Sequence, residues 1–383
     1  MSTLKVTNIE HEDTTNGGIQ LDSSGHVTID GQQLPTAGTL TGRRININGA
    51  MQVAQRGTVT NAGNEYAGPD RYSFRKNDGA YTISQDSDVP SGQGFASSWK
   101  ADVTSVPSGG DNSYVFLRHR MEGQDLQHLK KGTSSSESLT LSFWIKSSVT
   151  GTYIVELYDL DNDRQISKSY SVSSANTWEH KTLTYAGDTS GTLGNDTGAS
   201  LEVNFWFYAG NNFSSGTLNA SWASSTDANR VAGQVNAADN TANNIYLTGI
   251  QLEVGELATP FEHKSFGDEL ARCQRYYSRS YTYGTATGTD TRNGALMSTA
   301  YGTITFASAG TARFPVEMRT APTVTIYGGQ TGTQGKVAAD SNDGTGGVGF
   351  IGTTGAFIRR TNDSTGVQAN VYMNAHYVAD AEL

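Results

Sequence analysis

Cysteine occurs once in the 383 residues, at Cys273, so the chain can form no internal disulfide and no thiolate cluster around a metal. Charge is also sparse: Asp, Glu, Lys and Arg make up 17% of the residues, with a net charge of -10. An acidic balance without a basic run excludes the phosphate-neutralising surface on which nucleic-acid affinity depends. Apolar runs of about 20 residues, the length a helix needs to cross a bilayer, are missing, so no membrane insertion is expected. The polar opening MSTLKVTNIEHEDTTNGG carries no secretory pattern, and synthesis in a cytoplasm is the expectation. No segment repeats at a period of 20 to 50 residues, which argues against solenoids and propellers. GxSxG, phosphate-loop and HExxH signatures are likewise missing. The seven histidines are scattered, none at zinc-site spacing. His119, between Arg118 and Arg120 after an alternating run from Tyr114, is expected to point from a strand toward an interior or an interface. Asp159, Asp161 and Asp163 resemble the opening of an EF-hand loop. Arg164 stands where that loop needs Gly, however, and Tyr170 where it needs Glu, so a solvated hairpin turn is expected instead.

What is present is glycine, 44 of it, with many Ser, Thr and Asn. This composition fits short strands joined by loops, and surfaces that meet hydroxyl-rich ligands such as sugars through amides, hydroxyls and aromatic faces. Length alone allows about two or three domains. Residues 1–42 read as an N-terminal β arm, in which Ile19 and Leu21, a Ser23–Ser24–Gly25 turn, then Val27 and Ile29 outline one hairpin, with Pro35 and Gly38 marking the exit. A lone hairpin buries too little to stand in water, so the arm needs copies of itself or another protein. From 43 to 264 strand follows strand: Leu139, Leu141, Phe143 and Ile145; Tyr153, Val155 and Leu157; Leu201, Val203, Phe205 and Phe207. Turn clusters separate them without intervening helices, which implies a two-sheet antiparallel sandwich of jelly-roll type. Ile250, Leu252 and Val254 alternate in a strand that must end before Pro260. Residues 265–284 read as one connecting helix, capped by Ser265 with Asp268, its apolar face formed by Phe266, Leu270, Cys273 and Tyr277 and its arginines, Arg272, Arg275 and Arg279, turned to solvent or a partner. Residues 285–383 read as a small C-terminal β-sandwich. Val324 and Ile326 follow Pro322 there, Phe350 and Ile351 sit in a Gly-rich tract, and alternation runs from Val367 through Ala369, Val371, Met373 and Ala375 to Tyr377.

The aromatics suggest where a ligand sits. Trp144, Trp206 and Tyr208 occupy the alternate face of core strands, a possible platform for a sugar ring, with Asn204, Asn211 or Asn212 at its hydroxyls. The rival reading covers that face with a loop, the helix or another subunit, and it carries more weight because a bare patch of this size is unusual on a soluble monomer. Residues 219–243 form a long polar stretch, a candidate contact surface that includes Trp222. In the C-terminal region Tyr327, Arg359 and Tyr372 complete the candidate ligand-binding residues. No catalytic residue and no metal ligand is assigned.

TLKVTNI with GIQLDSSGHVTIDG, then ININGAMQVAQRGT followed by Asp70, Arg71 and Tyr72, resemble the virion-proximal arm and the NGxMxVxQRGT element of bacteriophage tail fibre, or receptor-binding, proteins. LSFWIKSS, ANTWEHKTLTYAGDTSGT and IQLEVGELATPFEHKSFGDELARCQRYY are similar to carbohydrate-binding jelly-roll modules of such fibres, and RFPVEMRTAPTVTIYG with the terminal HYVADAEL resembles a distal tip domain. The resemblance implies a homotrimeric virion fibre without enzymatic activity. Its arm would engage tail or baseplate proteins, and the fibre would bind host-surface polysaccharide or lipopolysaccharide. Related sandwiches often hold structural calcium through a Glu in the first strand and an Asp in the last. Here Gln52 and Glu253 stand at those places, and Gln52 lowers the charge of such a site. The alternatives are a tailspike-type glycan depolymerase, which usually needs a repeat this chain lacks, and a structural baseplate or neck component.

Overall fold

Period-two patterning is what the backbone follows. The computed structural model describes residues 8–9, 18–21, 27–29, 32–33, 42–300, 307–340, 342–361 and 370–383, and the fold is mainly β. The chain groups into two compact units that alternate along the sequence. The first holds Met1–Ala50, Arg75–Tyr81 and Asp86–His263; the second holds Met51–Phe74, Thr82–Gln85 and Lys264–Leu383.

In the arm, β1 (Asn8–Ile9), β2 (Ile19–Leu21), β3 (Val27–Ile29) and β4 (Gln32–Gln33) form a four-stranded antiparallel sheet. In backbone register Ile19 is opposite Ile29 and Leu21 opposite Val27, the expected hairpin, while its Ser23–Ser24–Gly25 turn and the exit at Pro35 and Gly38 lie outside the described residues. Next come β5 (Glu65–Tyr66), β6 (Tyr72–Lys76) and β7 (Ala80–Asp86), and the chain passes between the two groupings once within β6 and twice within β7.

The remaining strands of the first unit are β8 (Ser98–Ser105), β9 (Tyr114–Glu122), β10 (Leu139–Ser147), β11 (Gly151–Asp159), β12 (Arg164–Val172), β13 (Glu179–Tyr185), β14 (Ala199–Ala209), β15 (Ala223–Ser224) and β16 (Asn244–Val254), with a single helical turn, α1 (Asn211–Ser214). One sheet runs β13-β10-β16-β8 and the other β15-β12-β11-β14-β9, the two layers of the jelly-roll sandwich. Their inner faces meet ring on ring: Trp99 stacks on Phe207 at 5.7 Å, and Phe143 stands edge-on to both Phe205 and Tyr170 at 5.1 Å. The 11-residue β14 is buried on both faces. Its outer side is closed by residues 211–238, whose Phe213, Leu218 and Val231 pack on Trp206, Phe116 and Ile154. Arg230 fixes this cover by donating to both oxygens of the buried Glu156, each at 2.8 Å. Trp206 Nε1 and Asn204 Nδ2 donate to the same carboxylate at 3.2 and 3.1 Å. A buried carboxylate is tolerated only with such partners. The stretch 219–243, expected as a polar loop, therefore packs in part, through Val231, on apolar surface.

Two local expectations change. The Asp159–Asp163 segment is a hairpin turn, but Asp159 is fully buried, accepting from the backbone of Asp161 and Asn162 and pairing with Lys131. The connecting helix, α2 (Phe266–Gln274), ends ten residues before the expected 284. Ser265 caps it as expected, accepting from the Asp268 amide at 3.1 Å, yet its buried side is Glu269 and Cys273, with Phe266 exposed. Tyr277 and Arg279 fall instead in a strand, β17 (Tyr277–Arg279), and Arg279 is buried, donating to Thr285 O, rather than turned outward. The reason is competition: Tyr277, a β-favouring residue, pairs with Asp380, which outweighs a helical spacing read from four residues.

The second unit continues with β18 (Leu296–Thr299), β19 (Ala307–Arg313), β20 (Thr323–Gly328), β21 (Lys336–Ala339), β22 (Asn342–Gly349), β23 (Gly355–Arg360) and β24 (Tyr372–Asp380). β24 is the central strand, with β17 and β18 pairing along it and β20 and β21 doing the same. Met373, Ala375, Tyr377 and Ala379 enter an alanine-rich core with Ile326, Val337 and Ile358; Val367 and Ala369 of the expected alternation lie outside the described residues. β22 leaves the β21 ladder for the β23 ladder at Gly346, where a Cβ would come within 2.3 Å of Ile326. Glycine there lets one strand serve both ladders. Residues 51–74 bring a buried ionic knot to this unit: Arg71 lies over the Tyr276 ring at 3.4 Å and pairs with Glu382, which Arg56 also contacts at 3.2 Å.

Candidate functional site

Along β10, Leu141, Phe143 and Ile145 fill the sandwich core, which turns Ser142, Trp144 and Lys146 to the other face. Opposite Phe143 the register of β16 slips: Ser142 pairs with Gln251 but Trp144 pairs with Thr248, so β16 carries one extra residue. The bulge falls at Gly249, whose φ is +61°. A Cβ there would lie 2.7 Å from the Phe95 ring and 3.0 Å from Trp144. Glycine is required on both counts, and the bulge opens the outer face so that aromatic rings can settle against backbone.

A groove of about 550 Å³ results, lined by Gln93, Phe95, Ser142, Trp144, His180, Gly249 and residues Ala258 to Phe261 with His263. Phe95, Phe261 and His263 form a ring cluster with centroids 4.8 to 5.3 Å apart, and the Trp144 ring lies 5.1 Å from His180. The wall that carries Phe261 is held by side chains rather than by a ladder. Buried Gln251 accepts from the Glu262 amide at 2.7 Å, and buried Glu253 takes the Thr259 amide at 2.9 Å and its hydroxyl at 2.6 Å. Glu262 in turn accepts from the amides of Gly42 and Arg44, both at 2.8 Å. The loop after β16 is thus pinned at both ends, which holds Phe261 and His263 in place.

Electrostatically the groove is quiet. Partial desolvation holds both imidazoles below the ordinary histidine range, with Lys181 adding to the effect at His180 and Arg44 at His263. Both rings are neutral at pH 7, and the lining contains no carboxylate. The arrangement offers apolar ring faces beside hydroxyl, amide and imidazole groups, which suits a neutral, hydroxyl-rich ligand.

Of the residues expected from sequence, Trp144 is in the groove. Trp206 is fully buried because the cover closes over it, and Tyr208 is nearly buried as well. Asn204 is buried beneath it, committed to Glu156 and Glu202. Asn211 and Asn212 are exposed at α1 but bonded to Asp111 and Asn112, at 2.9 and 2.5 Å. Trp222 is half-buried, its Nε1 donating to Ala186 O at 2.8 Å, with Lys131 over its ring. In the second unit Tyr327, Arg359 and Tyr372 stand on three different strands, β20, β23 and β24; Tyr372 is exposed, whereas Tyr327 is half-buried against Tyr281. His119 is buried, as expected, and accepts from the Ile47 amide. Gln52 donates its amide to Lys264 O, and both Glu253 oxygens are occupied by Thr259 and Gln251. Phe95, His180, Phe261 and His263 escaped sequence reading. The available signal was Gly249 inside an alternating strand, which marks a bulge, followed by Pro260–Phe261 just beyond its end.

No family profile and no curated protein matches this chain. Among solved structures it is similar to the enzymatically active domain of tailspike protein 4 from bacteriophage CBA120 (15% identity, TM-score 0.29), over 52% of this chain and 21% of that one. It is also similar to a putative sugar-binding protein from Bacteroides thetaiotaomicron (11% identity, TM-score 0.30), over 56% of this chain and 100% of that one. A family 11 carbohydrate-binding module from Clostridium thermocellum, solved with a mixed-linked tetrasaccharide, gives 15% identity and a TM-score of 0.26, over 53% and 98%. This chain therefore spans about a fifth of the tailspike domain's length, and likeness at this level assigns no activity to it.

Proposed function

We propose that this chain is a glycan-binding fibre protein of a bacteriophage virion, which recognises host-surface polysaccharide or lipopolysaccharide without cleaving it. The observation that carries the reading is the Trp144 groove: aromatic, uncharged at pH 7, and held open by a glycine bulge and a pinned loop. Sugar rings present C–H faces to such aromatics and hydroxyls to such amides and imidazoles. Binding rather than hydrolysis is favoured because glycoside cleavage calls for two carboxyl groups across the bond, and the lining supplies none. The arm sheet and the tail-fibre-like motifs support attachment to virion proteins through residues 1–42.

The test is binding of host polysaccharide by the full chain and by Trp144→Ala, followed by calorimetry and by inhibition of phage adsorption. Loss of one stacking ring should weaken binding about tenfold, near 1.4 kcal/mol, with the melting temperature little changed. Equal affinity for both proteins would remove the groove from the function. Release of new reducing ends on incubation would favour the depolymerase reading.

A further inference from the structure

We propose that the second unit carries a separate saccharide site, selective for sugars that bear a carboxylate or a phosphate, between Arg313, Phe350 and Phe357. β19 and β23 pair antiparallel, with Thr311 opposite Phe357 and Arg313 opposite Gly355. Their alternate residues Ala312, Ala356 and Ile358 are buried in the core, so Thr311, Arg313 and Phe357 share the outward face. A cavity of about 720 Å³ opens over it. Two glycines line it: a Cβ at Gly355 would meet Ala312 O at 2.4 Å, while Gly352 has nothing within 4 Å.

Two observations point to a ligand. Phe350 is 91% exposed and its φ is +49°, a region that bulky L side chains seldom adopt. Its ring stands 6.1 Å from that of Phe357. A large apolar side chain held at the surface by an uncommon backbone conformation offers a ring face on which a ligand can stack. The second observation is charge. Arg313 is exposed, no carboxylate lines the cavity, and among the described residues no acid pairs with it. The acid nearest in sequence to this wall, Glu317, accepts from Thr353 at 3.0 Å. A guanidinium beside aromatic rings matches a carboxylate or phosphate attached to a sugar ring, through two parallel hydrogen bonds. The Trp144 groove, by contrast, is neutral, so the two sites differ in charge preference; that the ligand here is a sugar rests on the glycan-binding reading proposed above.

The test uses the full chain carrying Trp144→Ala, which weakens the first groove, titrated with oligogalacturonate, glucose 6-phosphate and neutral maltotriose and followed by calorimetry. At least one anionic sugar should bind about tenfold or more tightly than maltotriose, and raising the salt should weaken it. Whether oligogalacturonate or glucose 6-phosphate binds better identifies the anion as carboxylate or phosphate. Adding Arg313→Gln should remove the preference, Phe350→Ala should weaken all binding at this site, and Arg313→Lys should retain part of it. The inference is overturned if neither anionic sugar binds, if maltotriose binds as well as they do, or if Arg313→Gln binds like its parent. Both changes lie at the surface, and an unchanged melting curve separates loss of the site from loss of the fold.

Discussion

His376 shows how much one side chain can be asked to hold. It is fully buried in β24, its ring stacked on Tyr281 at 3.8 Å. Nε2 lies 3.0 Å from the carbonyl of Thr291, which can only accept, so Nε2 carries the proton. Nδ1 then accepts from the Ser280 hydroxyl at 2.9 Å, and Ser280 Oγ itself accepts from the Tyr377 amide at 3.0 Å. Burial lowers the pKa of this ring below the usual 6.5. A depressed folded-state pKa gives stability that is complete above the unfolded value and is lost as pH falls through the folded one. The melting temperature of the second unit should therefore drop as pH is lowered from 7.5 to 5, and His376→Gln should flatten that slope. An unchanged slope in the variant would place the acid sensitivity elsewhere.

At the scale of elements, strands were legible and their surroundings were not. Period two identified β10, β11, β14 and β16 because each has a core side, and that side is written in every second residue. Ser265 and Asp268 announced the start of α2, but nothing local announced its end, since Tyr277 pairs with Asp380, about a hundred residues away. The same limit governs the sites. Trp206 and Trp144 look alike in sequence, both outward on core strands. What separates them is that residues 211–238 return over β14, whereas the outer face of β10 is flanked by a groove. Arg230 is the clasp of that cover, and it makes the element testable. Arg230→Ala leaves Glu156 buried with two neutral donors in place of a cation, a change that costs about 3–5 kcal/mol for a broken buried pair. Chemical denaturation should show a loss of that order. A loss under 1 kcal/mol would mean that the cover is held by its apolar contacts alone.

For the whole molecule, the proposed function depends on copies. Single sugar sites are weak, and linking several on one particle makes the later contacts intramolecular, raising avidity by roughly 10²–10⁴. We expect light scattering to give a particle of three chains; a single-chain mass with intact β-sheet circular dichroism would refute the trimer. The order in which the chain visits its two units has a consequence of another kind. Residues 51–74 belong with Lys264–Leu383, and Arg56 and Arg71 meet Glu382 near the far terminus. Neither unit is one continuous length of coding sequence. A shuffling event that replaced everything after residue 264 would leave both buried arginines facing a foreign carboxyl-terminal segment. If the proposed function holds, new binding specificities should therefore arise by point changes in exposed loops rather than by a single crossover between the units.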